Sequence, residues 1–379
     1  MQLDHLWITD FRSWGAAELS LSGGLTVVRG RNGVGKTNLL EAVGYLATLS
    51  SFRGATADAL VRQGADQAVV RGEGRRGGRQ ILVEAEIRPS GRGRVSLNRQ
   101  PVRRAADLLG ALRVSVFSPD DLVLVKGPPA GRRRWLDDAL VALHPRNDAL
   151  RRDVERIVRQ RTTLLGQAGG RMTPDVATTL DVWDAKLAES GEGLAAARAE
   201  LLGRTEPLVA KAYAELAAAD TAAAAAASSR SSATVALTYE APWREHGLAA
   251  ALAAARPDEL RRGVSLVGPH RDDVGLGVGG LPARTHASQG EQRSLALALR
   301  LAAHQVVTDE VGEPPLLLLD DVFSELDDDR SRALVDHVPP GQALLTTTGA
   351  VPPGAVVEQV LEVVDGRIVV VDGGAGNGR

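Results

Sequence analysis

The chain has 379 residues, of which 44% are hydrophobic and 24% charged, with a formal net charge of −2 and no cysteine. That length leaves room for two or three domains of ordinary size. The missing cysteines exclude disulfides, thiolate metal sites and cysteine nucleophiles together, and fit a reducing cytoplasm. No apolar run reaches the roughly 18 residues that a membrane span needs. The opening MQLDHLWITDF lacks the basic-then-apolar order of a signal peptide.

The elements follow in chain order. LDHLWI, ELSLS and LTVVRG read as strands within residues 1–30. Thr37 to Leu49 reads as a helix with Leu39, Leu40, Val43 and Leu46 on one face. Strand character returns over residues 68–97, with QAVVRGEG and ILVEAEIRPSGRGRVSLN, and Val114 to Val116 reads as a short buried strand. After Pro128-Pro129 the spacing turns helical, through RRRWLDDALVAL, DALRRDVERIVRQRTTLL and the long stretch from DVWDAKL to AYAELA. TAAAAAASSRSS reads as a helix end running into a mobile loop. ATVALTY and SLVGPHRDD read as strands again. The expected organisation is a discontinuous α/β head, residues 1–125 and 258–379, around a mostly helical arm at 126–257. Residues 373–379 read as a disordered tail.

Gly30-x4-Gly35-Lys36-Thr37 fits a P-loop and stands in the required context, after a strand and before a helix. Its glycines let backbone N–H groups approach phosphate oxygens, and the helix N-terminus adds a favourable dipole. Gly30, Arg31, Asn32, Gly33, Val34, Gly35, Lys36, Thr37 and Asn38 are the expected ATP contacts. Lys36 is one of only four lysines against 41 arginines; a loop wrapped closely around phosphate needs the compact charge on a flexible stem. Lys36 would reach the β- and γ-phosphates and Thr37 would ligate Mg²⁺.

LLLLDD, Leu316 to Asp321, reads as a parallel strand buried on both faces and ending in two acids. Asp320 is the expected Mg²⁺ residue and Asp321 the one that orients or deprotonates water. Ser288-Gln289-Gly290-Glu291 opens a helix as a capping box. Gly290 costs stability in that first turn, which makes sense if another group must come close. A second anion-binding helix tip is redundant for one chain. It suits a head-to-tail pair in which each tip closes over the partner's γ-phosphate.

That is the plan of ABC-type ATPases. GRNGVGKTNLLEA, GPHRDD at 268–273, SQGEQRSLALALRLA and LLLLDDVFSELD together resemble the RecF family of bacterial recombination-mediator ATPases, as does VFSPDDLVLVKGPPAGRRRWLD at 116–137. The resemblance spans nearly the whole chain. It implies an α/β fold: an ABC-type P-loop head, with a mixed sheet and an antiparallel N-terminal lobe, plus an inserted helical domain. It further implies ATP and Mg²⁺ as cofactors, an ATP-dependent homodimer, binding of double-stranded and gapped DNA, and RecA loading with RecO and RecR. By motif match Ser324, Glu325, Leu326 and Asp327 cross between subunits, and Arg12 can approach the nucleotide. Three departures stand out from the wider ABC pattern. Asp321 stands where most relatives carry Glu. Thr346, Thr347 and Thr348 stand where a switch histidine is usual, and no Gln appears near Phe117 to Asp121. They imply slow hydrolysis used as a switch, and the resemblance implies a weak, DNA-stimulated ATPase. An SMC-like structural clamp and a transporter ATPase subunit are the alternatives; the arm is too short for paired coiled coils.

Charge is unevenly placed. Between Arg53 and Arg104 there are 12 Arg against 5 acids, and between Lys126 and Arg161 there are 10 basic residues against 5 acids. The expected DNA contacts are Arg53, Arg62, Arg71, Arg75, Arg76 and Arg79, then Arg132, Arg133 and Arg134. With aromatics at 3%, stacking on single strands is poorly supplied, which favours duplex.

Overall fold

A computed structural model of the chain describes residues 1–91, 93–218, 234–325, 328–351 and 354–371. The expected loop at TAAAAAASSRSS and the expected tail lie outside the described residues. The chain divides into two compact units: Met1–Asp121, Ala212–Ser231 and Leu297–Arg379 form one, Leu122–Lys211 and Ser232–Ala296 the other. Residues 258–296 thus fold with the helical segments.

The first unit holds two six-stranded sheets. One is antiparallel, in the order β2-β1-β4-β5-β6-β7, built from β1 (Gln2–Phe11), β2 (Trp14–Ser20), β4 (Ala68–Arg76), β5 (Arg79–Ile87), β6 (Val95–Leu97) and β7 (Gln100–Pro101). Its strands alternate as the sequence does. Ile8, Val70 and Ala85 stand opposite one another across three strands and are all buried, while Trp7, Arg71 and Glu84 share the other face. The other sheet has the order β15-β14-β3-β13-β12-β8. Here β3 (Leu25–Arg29), β8 (Val114–Phe117), β12 (Leu316–Asp320), β13 (Ala343–Thr347) and β14 (Val357–Val364) run parallel, and β15 (Arg367–Val371) returns antiparallel. Every residue of β12 and β13 is buried, as an uninterrupted apolar run requires. β8 forms as expected but is the sheet's edge, so only Phe117 of it is buried.

The helix Lys36–Thr48 follows β3 and the P-loop. The expected apolar face of Leu39, Leu40, Val43 and Leu46 is buried, but so are Lys36, Glu41, Ala42, Gly44 and Ala47. The reason is packing on two sides. A Cβ on Gly72 of β4 would come within 2.8 Å of Leu46, and one on Gly44 would come within 3.0 Å of Phe52 and 3.9 Å of Leu318 in β12. The helix is therefore wedged between the sheets, and its fully buried leucines each contribute about 1.5–3 kcal/mol.

The second unit contains the helices Pro129–Leu143, Asn147–Ala168 and Leu248–Arg262, most of Pro174–Ala218, and an antiparallel sheet β11-β10-β9. The strands are β9 (Val235–Glu240), β10 (Asp273–Val278) and β11 (Leu281–Pro282). SLVGPHRDD is not the strand expected: Gly268 at φ 129° and Pro269 turn the backbone, and pairing begins only at Asp273. Buried ion pairs hold this unit together. Arg132 grips Asp273 at 2.7 and 2.8 Å, Arg198 grips Asp137 at 2.8 and 2.7 Å, and Arg161 reaches Glu259 at 2.6 Å. Asp272, 2% exposed, accepts Tyr239 Oη at 2.6 Å and Trp243 Nε1 at 2.7 Å.

Candidate nucleotide site

The P-loop turns on two left-handed glycines, Gly33 at φ 80° and Gly35 at φ 104°. A Cβ on Gly35 would fall 2.6 Å from Ser13 Oγ and 3.0 Å from Trp14 Nε1, so only glycine fits. Gly35 is the N-cap of the helix that starts at Lys36. No side chain among the described residues caps that end and no acid lies in its first turn, so its amides remain available to an anion. Lys36 Nζ donates to the carbonyls of Gly30 at 2.8 Å and Arg31 at 2.9 Å. Burial lowers its pKa below the usual lysine value, against the opposing charges of Asp321 and Asp320.

The two halves of the motif meet. Thr37 Oγ1 donates to Asp320 Oδ1 at 2.8 Å, across 283 residues of sequence. Thr346 Oγ1, at the end of the adjacent strand β13, donates to the same oxygen at 2.7 Å and accepts the Asp321 amide at 3.0 Å. Burial pushes the Asp320 carboxyl above its ordinary pKa, opposed by the Thr346 and Thr37 hydrogen bonds and by the charge of Arg53. Asp321 leaves β12 in the left-handed region at φ 48°, and its Oδ1 is buried without a hydrogen-bond partner among the described residues. Gly30, Lys36, Thr37, Asp320, Asp321 and Thr346 thus share one end of the parallel sheet, at the carboxyl ends of its strands, where ligands enter open α/β sheets.

Other expected residues fall differently. Arg12 gives Nε and Nη2 to Glu41 at 2.8 Å each and Nη1 to the Ala59 carbonyl at 3.0 Å. Its guanidinium braces the P-loop helix. Thr347 is buried, with its carbonyl 3.3 Å from the Gly30 amide, and Thr348 is exposed. Ser324 Oγ donates to the Asp321 carbonyl at 2.7 Å; the backbone of Glu325 closes the same turn, and Leu326 and Asp327 lie outside the described residues. In the second unit the capping box forms as expected, with Ser288 N–H to Glu291 Oε2 at 2.7 Å and Glu291 N–H to Ser288 Oγ at 3.2 Å. Ser288 and Gln289 are exposed and Gly290 is half-buried.

The expected arginines fall in different settings. The charge of Arg53 acts on Asp320, so it lies near the carboxylates at the end of β12. Arg71 lies over the Trp7 ring at 4.8 Å, Arg75 is held by Asp4 at 3.0 Å through two nitrogens, and Arg62 is paired with Asp10 at 3.4 Å. Arg132 is 5% exposed in its grip on Asp273, so it is not a surface contact, while Arg133 is half-buried and donates to the Asp272 carbonyl at 2.7 Å. Arg76 is half-buried, and Arg79 and Arg134 are exposed. Sequence reasoning missed Ser13, Trp14 and Glu41. Trp14 Nε1 donates to the Gly35 carbonyl at 3.0 Å and Asn38 Nδ2 to Ser13 Oγ at 2.8 Å. An acid in the middle of an apolar helix, at position 41, was the available signal.

Comparison with known proteins agrees with this geometry. A family described as the RecF/RecN/SMC N terminal domain matches residues 2–343. The DNA replication and repair protein RecF of Frankia alni is 48% identical over 92% of this chain and 93% of its own length; that of Kineococcus radiotolerans is 47% identical over 93% of each. A solved structure of the recombination mediator protein RecF-ATPrS in the RecFOR pathway superposes with a TM-score of 0.87 at 25% identity, covering 98% of each chain. An SMC head bound to the C-terminal winged-helix domain of ScpA, at 16% identity and a TM-score of 0.56, shares the fold. With its P-loop joined through Thr37 to Asp320, this chain belongs to the RecF family of DNA replication and repair proteins.

Proposed function

We propose that this chain is an ATP-dependent recombination and repair protein that pairs with a second copy on binding ATP, grips duplex DNA at gaps or junctions, and assists RecA loading with RecO and RecR. The observation that carries the nucleotide reading is the convergence of Thr37 and Thr346 on one oxygen of Asp320. It puts a helix tip, a lysine and two carboxylates around one point. Backbone amides of residues 31–37 would take the phosphate oxygens, and Lys36 would exchange its two carbonyl partners for the β- and γ-phosphates. The donor set suits Mg²⁺, which is held by few protein oxygens and completes its shell with water and phosphate: Thr37 and Asp320 would ligate it, and it would neutralise phosphate charge. Asp321, with its unpartnered Oδ1, would take a hydrogen bond from the attacking water.

Thr346 spends its only proton on Asp320, so it orients that carboxylate and is not free to sense the γ-phosphate as a histidine would. Slow hydrolysis used as a switch fits that arrangement. The exposed Ser288 and Gln289 support a site shared between copies, in which the tip of the helix Gln289–Val311 faces the partner's phosphates. In this reading the first unit is the ATPase head and the second carries the arm. The kinship with RecF in the RecFOR pathway supports RecO and RecR as partners.

Sedimentation with and without ATP, repeated with short duplex DNA, tests the reading. ATP should drive monomers to dimers and duplex should co-sediment with the dimer. A chain that stays monomeric at saturating ATP while hydrolysing it would refute the shared site.

A further inference from the structure

The stretch Arg88 to Arg104 holds six arginines and no acid. Its described residues follow the end of β5 and hold β6, a two-residue turn and β7, the outer edge of the antiparallel sheet. The turn residues Asn98 and Arg99 both have positive φ, 51° and 65°, the geometry of a tight hairpin that glycine normally fills at its second position. Here an arginine occupies it. Asn98 locks the turn in place, since its side chain accepts the Leu82 amide at 2.8 Å and its own amide donates to the Leu82 carbonyl at 2.7 Å. Beyond the turn the Val102 amide donates to the Val95 carbonyl at 2.8 Å. Arg99 is thus held out at a fixed tip.

Arg94, Arg99 and Arg104 are exposed and have no ion-pair partner among the described residues. The acids nearest along the chain or on the adjoining strand are Glu84, Glu86 and Asp107. Glu84 faces Arg71 across the sheet, Glu86 is bonded by Arg88 at 2.6 Å, and Asp107 gives its amide to the Arg104 carbonyl.

We propose that this hairpin edge, through Arg94, Arg99 and Arg104, is a contact of the first unit with the phosphate backbone of duplex DNA. The inference rests on the duplex-binding reading above and names the surface that reading needs. From Arg94 to Arg99 the hairpin extends about 15 Å at the usual strand rise, which spans roughly four or five base-pair steps. Residues 88–104 carry no aromatic ring on which a single strand could stack or which could anchor a protein partner. Arginines and the edge proline Pro101 also discourage strand-to-strand aggregation. That role alone does not require a left-handed arginine locked at the tip.

The test is titration of a labelled duplex at several salt concentrations, in ATP, with the wild type and an R94Q/R99Q/R104Q variant. The log–log salt slope of the variant should be shallower by roughly 2 to 3 units, near 0.9 for each arginine lost, while ATP-driven pairing is unchanged. An unchanged slope overturns the assignment and leaves the duplex-binding reading standing; a wild type that does not bind duplex overturns both. Loss confined to single-stranded DNA also counts against it. Arg99→Gly separates contact from architecture, because glycine accepts the left-handed turn freely. Its unfolding midpoint should hold or rise while the slope falls by about 1. A fall in the midpoint with no change in slope would make Arg99 a structural residue only.

Discussion

Thr346 and Asp320 are joined by a 2.7 Å hydrogen bond between neighbouring strands, and the same threonine oxygen receives the amide of Asp321. One hydroxyl therefore sets the direction of one carboxylate and the backbone of the next. Thr346→Val keeps the shape and removes both bonds. Turnover should fall roughly ten- to a hundredfold, the usual effect of losing a group that orients a metal ligand, with a smaller change in the KM for ATP. Thr346→Ser should restore most of it. Steady-state phosphate release checks this, and a valine variant with wild-type kcat would remove Thr346 from the site.

Ser288 is exposed and its hydroxyl caps the helix Gln289–Val311. Ser288→Arg should abolish ATP-driven pairing. Loss of the cap should cost about 1 kcal/mol, too little to unfold the monomer. Sedimentation and a denaturation curve on the same sample separate the two effects; dimers that persist in ATP would sink the shared-site model.

Glu41 is fully buried and accepts two bonds from Arg12 and one from Ser51. Glu41→Ala would strand the guanidinium, whose side chain is only 20% exposed. The expected loss is about 3 kcal/mol, the low end for breaking a buried pair because Arg12 keeps some solvent. Guanidinium unfolding should show a lower midpoint at constant m. A shift equivalent to less than about 1 kcal/mol would show that the pair is dispensable.

His304 is 2% exposed, with Nδ1 2.9 Å from Ser115 Oγ and Nε2 unpartnered among the described residues. Burial lowers its pKa to about 4. A folded pKa below the unfolded value of about 6.5 means that the unfolded chain binds the proton first. Its share of stability is complete above pH 6.5 and is lost as pH falls from about 6.5 to 4. His304→Gln should flatten the stability–pH curve in that window by up to about 1.4 kcal/mol per pH unit. An unchanged slope would place the acid sensitivity elsewhere.

Local signals carried far in this sequence because several elements are self-sufficient. Four leucines before two aspartates suit a strand shielded on both faces, and β12 is that strand. The P-loop needs its glycines for backbone reasons that hold in any fold, so its geometry was readable, and with it the partnership of Thr37 and Asp320. Arg132, Arg133 and Arg134 mislead as a cluster, yet helical spacing separates them. Arg132 lies one turn before Leu136 and Trp135 and so faces inward, where Asp273 meets it from 141 residues away. That partner was not legible, because ion pairs leave no periodic trace. The same holds for Arg12, whose acid lies on the buried helix that follows the P-loop.

Lys36 has a further consequence. Its ammonium already threads the loop that surrounds it, tied to the carbonyls of Gly30 and Arg31, so the cradle is wound before any guest arrives. Entry of a triphosphate then trades one set of bonds for another and freezes little additional chain. Calorimetry should accordingly record a modest entropic penalty when a lone subunit takes up its nucleotide.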